Sequence, residues 1–102
     1  MLFRSQQAEN PQKVAALHAA TTKRNAAFVE ALLRAGAQAD QAQADGFTPL
    51  HVAAAHGDAA IAALLVLFGA DVRKANAKGM DAAAHARAGG HDWLAARLDT
   101  AG

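Results

Sequence analysis

The side chains best equipped for chemistry in this 102-residue sequence are five histidines, at positions 18, 51, 56, 85 and 91. An imidazole titrates near neutrality and ligates divalent metals, so five of them raise both general-base catalysis and metal coordination. Neither constellation is completed. No His-Glu-x-x-His pair occurs, and the absence of cysteine removes thiolate zinc sites, a Cys nucleophile and disulfides. His85 and His91 flank Gly89-Gly90 with no carboxylate at ligand spacing. Ser5, the only serine, falls in an N-terminal stretch expected to be loose, so no Ser/His/Asp arrangement can be argued. Gly89-Gly90 reads as a helix stop, because no Gly-x-Gly-x-x-Gly or Walker pattern follows a strand. Glu30 and Arg34, four apart, read as an ordinary helix-surface pair. The expectation is a protein that is not an enzyme and holds no metal and no cofactor.

Charge points the same way. The formal net charge is +1 and charged residues make up 19%, a balance that argues against disorder and gives no strong pull toward nucleic acid or membrane. Arg73, Lys74 and Lys78 form one small basic cluster, which reads as a solvated loop or a contact for an acidic partner. Nucleic-acid binding would need a broader patch. The longest apolar run, Ala59 to Ala70, is about twelve residues, short of the ~18–20 that cross a bilayer. The start, Met1 to Gln7, turns polar at once and shows no secretory signal, so a cytoplasmic location is expected. The weight of alanine and arginine hints at a GC-rich bacterial genome.

The elements that position these residues are announced by a repeat. Leu17-His18-Ala19-Ala20 returns as Leu50-His51-Val52-Ala53, Gly36-Ala37 as Gly69-Ala70, and Gly46 as Gly79, always 33 residues on. Segments 12–44 and 45–77 align without a gap and share ten identities, and 78–99 continues the register more weakly. A fixed period of this length signals stacked supersecondary units. In the middle copy Thr48 is a good N-cap and Pro49 suits the first helical position, with Leu50, Ala53 and Ala54 at helical spacing until Gly57. Asp58 caps a second helix with an apolar stripe of Ile61, Leu64, Leu65 and Phe68, stopped at Gly69. The same pattern predicts helices near 16–22 and 26–35, and near 82–88 and 92–98 with Asp81 as a cap. Apolar residues make up 53% of the chain, but 31 of them are alanine. Such a composition cannot build one wide core; it suits thin layers of short helices that approach closely and are stabilised by their neighbours.

The run Asp45-Gly46-Phe47-Thr48-Pro49-Leu50-His51-Val52-Ala53-Ala54, followed by Gly57, Ile61, Leu64-Leu65 and Gly69-Ala70-Asp71-Val72, resembles the ankyrin repeat almost position by position. The resemblance covers about residues 12–99. It divides the chain into a lead-in (1–11), repeat one (12–44), repeat two (45–77), and repeat three with a C-terminal cap (78–102). It implies an all-α solenoid of helix-turn-helix units joined by β-turn or hairpin loops. The flanking copies depart from the pattern: Ala15-Ala16 stands for Thr-Pro, Asp81-Ala82-Ala83-Ala84 for Thr-Pro-Leu-His, and Arg24 for a turn glycine. Arg24 must therefore adopt a left-handed conformation or reshape its turn.

The family resemblance further implies a non-catalytic protein-recognition module that binds through turn tips and the concave surface of the first helices. The matching positions are Gln12, Val14, Thr22 and Lys23 in repeat one, Asp45, Phe47, Ala55 and His56 in repeat two, and Lys78, Met80 and Ala88 in repeat three, with Arg73 and Lys74 beside them. It also implies that His18 and His51 are structural, bonding the turn backbone between repeats. Phe47 and Met80, each just after a turn glycine, are the expected anchors for a partner; the alternative is that they shield the neighbouring hairpin. The expected role is a small monomeric adaptor or inhibitor of another protein. An antidote that occludes a toxic enzyme and a self-associating structural protein are the alternatives. Trp93 either caps the open end of the stack or is exposed, and Leu2 and Phe3 pose the same question at the other end.

Overall fold

The computed structural model describes residues 11–43 and 46–101, with side chains for 15–43 and 46–100. Six helices follow one another: α1 (Pro11–Thr22), α2 (Ala26–Arg34), α3 (Pro49–His56), α4 (Ala59–Leu67), α5 (Ala82–Ala88) and α6 (Asp92–Ala101). No strand occurs among the described residues. Each odd-numbered helix turns back on the even-numbered one after it. The units then stack, with α1, α3 and α5 side by side in one layer and α2 against α4 in the second. Leu2 and Phe3 lie outside the described residues.

The helix starts follow from capping side chains. Asn25, Thr48, Asp58 and Asp81 accept from the backbone N–H of Phe28, His51, Ile61 and Ala84, which satisfies donors that a helix start leaves orphaned. Pro49 occupies the first helical position of α3, where its missing N–H costs nothing. Gly57, with φ 72°, closes α3 in the left-handed conformation that only glycine adopts cheaply. The position one repeat earlier holds Arg24, which takes that conformation too, with φ 61°, instead of reshaping its turn. Its guanidinium lies 3.5 Å from the Asp58 carboxylate of the next unit.

The core is thin. Leu17, Val29, Leu50, Ile61 and Leu65 are its most deeply buried large members, joined by Leu33, Leu94 and Leu98, and Ala20, Ala53, Ala54, Ala82, Ala83 and Ala86 line it on the first-layer helices. Those small side chains let α3 and α5 lie close, the pattern that the alanine content predicts. Two positions differ from the expected stripe. Phe68 falls past the end of α4, at its C-cap, and is exposed, whereas Ala62 is buried in its stead. Trp93 is 52% exposed, so it does not bury its ring at the end of the stack; its indole meets the His91 ring edge-on at 6.4 Å.

Histidines tie the first helix of a unit to the loop that leads into the next. His18 Nε2 lies 3.2 Å from the Gln41 carbonyl and His51 Nε2 lies 2.9 Å from the Lys74 carbonyl, both 23 residues on. A carbonyl only accepts, so each Nε2 carries the proton and donates. His51 Nδ1 accepts from the Thr48 backbone N–H at 2.8 Å, which completes a reciprocal cap with the Thr48 hydroxyl and fixes the ring as a neutral Nε2–H tautomer.

Candidate functional site

The side-by-side packing of α1, α3 and α5 converts the 33-residue period into a surface row. Thr22, Ala55 and Ala88 occupy matching positions at the ends of these three helices; Thr22 and Ala88 are exposed and Ala55 is half-buried. The Thr22 hydroxyl is turned inward onto the His18 carbonyl at 2.9 Å, so its methyl is the part left for contact. Lys23 stands exposed beside it. His56, next to Ala55, is half-buried, and its Nδ1 is buried with no hydrogen-bond partner among the described residues. Small side chains leave this row flat.

The turn tips lie at the other ends of the same helices, about 12 Å away along an eight-residue helix. Two matching turns form them. Gln43 N–H donates to the Phe47 carbonyl at 2.9 Å, and Asn76 N–H donates to the Met80 carbonyl at 3.0 Å. They lie side by side: a Cβ added to Gly46 would stand 3.0 Å from the Ala77 backbone nitrogen. The Asn76 carboxamide organises the second turn, its Oδ1 accepting from the N–H groups of Lys78 and Met80 at 2.9 and 3.1 Å.

Phe47 departs from the expected exposed anchor. It is half-buried, with its ring 5.9 Å from His51 in an edge-to-face arrangement and 5.1 Å from His85. The reason is geometric: the glycine turn folds the phenyl back over the seam between two units, where the imidazoles offer an apolar platform. Met80 is also half-buried. Phe47 therefore helps to shield the hairpins, and both side chains keep part of their surface in solvent.

His51 and His85 lie 5.2 Å apart under Phe47. Burial, which disfavours the charged ring, lowers the pKa of both below the ordinary 6.5; for His51 the bond to the Lys74 carbonyl opposes this, and for His85 the neighbouring His51 and Lys78 add to it. Because Asn76 Oδ1 is already committed to two N–H groups, its amide nitrogen donates to His85 Nε2, 2.7 Å away, so that nitrogen is unprotonated.

The basic cluster is divided by the structure. Lys74 is drawn onto Asp40 of the preceding loop, its Nζ 3.6 Å from Oδ2 and 3.1 Å from the carbonyl oxygen. Arg73 and Lys78 are exposed. Ala88, Lys78 and Met80 belong to the last unit, and Thr22 and Lys23 to the first, so the candidate face runs across all three. The backbones of Gln12 and Val14 lie in α1, but their side chains, and all of Asp45, fall outside the described residues.

Asn76, His85 and Asp40 were not legible as site-shaping residues in the sequence. His85 falls one position past the His18/His51 register, and Asp40 acts on a turn 31 to 34 residues away. Asn76 had a signal: asparagine three residues before a glycine is a common turn-former. No group of three metal-ligating side chains converges among the described residues, and no described helix is long and apolar enough to cross a membrane.

Comparison with known proteins agrees with this geometry. A family model described as ankyrin repeats (3 copies) matches residues 2–76. No curated protein matches the chain.

Proposed function

Since this chain belongs to the ankyrin-repeat family, we propose that it is a non-catalytic adaptor or inhibitor that grips one protein partner across its inner face and turn tips. Ankyrin repeats are generally protein–protein interaction modules and are typically non-catalytic. The observation that carries the proposal is the flat row of Thr22, Ala55 and Ala88 on three adjacent helices, bordered at the far end by the exposed cations Arg73 and Lys78. Small side chains admit a partner close to the helix backbones, and the two cations favour a partner with an acidic margin. Lys23 extends the face in the first unit, and the half-buried His56 ring borders the row in the second. Phe47 and Met80 contribute the surface that they leave to solvent.

The protein acts as a cytoplasmic monomer in this proposal and engages neither nucleic acid nor membrane. Affinity capture from the native cell, with mass spectrometry, tests it. A protein retained by the wild type should be lost when Ala88→Arg blocks the row and depleted when Arg73 and Lys78 are both changed to Glu. Equal retention by all three forms would place the interface elsewhere.

A further inference from the structure

The outer helices carry a second surface that the inner-face reading does not use. On α2, Val29 and Leu33 are buried, and Glu30 and Arg34 pair at 2.7 Å on the helix surface. One repeat later, in α4, these four positions hold Ala62, Val66, Ala63 and Leu67. The valine has become alanine, and the ion pair has become two apolar residues. Between α4 and α6 lies an open groove of about 320 Å³, lined by these four with Leu94 and Leu98. Leu67 is 77% exposed at its edge. A surface helix ordinarily keeps its outer face polar, and α4 does not.

Arg97 is the one charged residue in the lining, and it has no ion pair among the described residues. We infer that this groove docks an amphipathic helix of a protein partner, seating a large apolar side chain over Ala62 and pairing a carboxylate with Arg97. A groove between two helices accepts a third through apolar residues at i, i+3 and i+4 spacing, and the unpaired guanidinium selects an acidic flank. A second copy placed groove to groove would bring guanidinium toward guanidinium, with no carboxylate in either lining.

The probe is a synthetic helical peptide with leucines on one face flanked by glutamates, compared with its lysine-for-glutamate counterpart. Trp93, one helical turn before Arg97, reports binding by fluorescence, and amide chemical shifts locate it. The glutamate peptide should shift Ala62, Ala63, Leu67 and Leu94 and bind roughly three- to tenfold more tightly than the lysine peptide. Arg97→Glu should reverse that order, and Leu67→Glu should weaken both peptides without changing the melting temperature. Equal binding of both peptides by wild type and Arg97→Glu would overturn the inference, as would shifts confined to α1, α3 and α5. So would light scattering that shows a wild-type dimer and a Leu67→Glu monomer.

Discussion

The side-chain amide of Asn76 donates to Nε2 of His85 across 2.7 Å, and this one bond joins the second turn tip to the first-layer helix of the last unit. It exists only while His85 is neutral, because a protonated Nε2 would face an N–H donor. His51, 5.2 Å away, is likewise built as a neutral ring.

Acid should therefore loosen the stack. Both rings have folded-state pKa values below the ordinary 6.5 because burial disfavours their charged forms. Below that value the unfolded chain binds protons that the folded chain refuses, so stability falls as pH drops through about 6.5 toward the lowered folded values. Above neutrality these two groups contribute no slope. Urea unfolding at a series of pH values should show a plateau above pH 7 and a decline below it, with a shallower decline in His85→Ala. A flat profile from pH 7 to 5 would mean that these rings titrate normally.

Arg24 and Gly57 share a left-handed backbone at matching positions, with φ 61° and 72°. Only Arg24 carries a Cβ there, a cost of about 1 kcal/mol, offset in part by its exposed contact with Asp58. Arg24→Gly should stabilise the protein by about 0.5 kcal/mol. Gly57→Ala should destabilise it by about 2 kcal/mol, because its Cβ would add the same strain and stand 2.6 Å from the His91 ring. Thermal unfolding of the two variants checks the opposite signs.

Phe47→Ala should cost about 1–2 kcal/mol of stability. The phenyl is half-buried on His51 and His85, so the loss stays below the ~3–5 kcal/mol of a fully buried ring. A melting temperature equal to wild type would return Phe47 to the role of a partner anchor.

Leu50→Ala and Leu65→Ala should each cost about 2–4 kcal/mol, since both side chains are fully buried and the alanine-rich surroundings leave little to collapse into the space. Against a stability of ~5–15 kcal/mol for an ordinary domain, less for three stacked units, either change removes most of the margin. Circular dichroism at 37 °C should show loss of helix in at least one.

The helices were readable because their signals are local. Thr48-Pro49 and Gly57 state where α3 begins and ends, Asp58 states where α4 begins, and the 33-residue period states which helices become neighbours. The family was readable from the middle copy alone. The fate of single side chains was not. Phe47 looked like an exposed tip residue because its burial depends on His85, 38 positions away and outside the repeat register. Lys74 looked like part of a basic patch because its partner Asp40 lies one loop earlier. Phe68 looked like part of a helical stripe because α4 stops one residue before it. In each case the deciding contact lies between units or at a helix end, which spacing along one unit does not encode.

Site-specific photo-crosslinking tests the central proposal most directly. A photoreactive residue at Ala88, on the inner row, or at Lys78, on the tip, should capture one and the same protein in the native cell. The same residue at Ala31, exposed on α2 and away from the α4–α6 groove, should not. Capture from Ala31 alone, with none from Ala88 or Lys78, would contradict binding through the inner face.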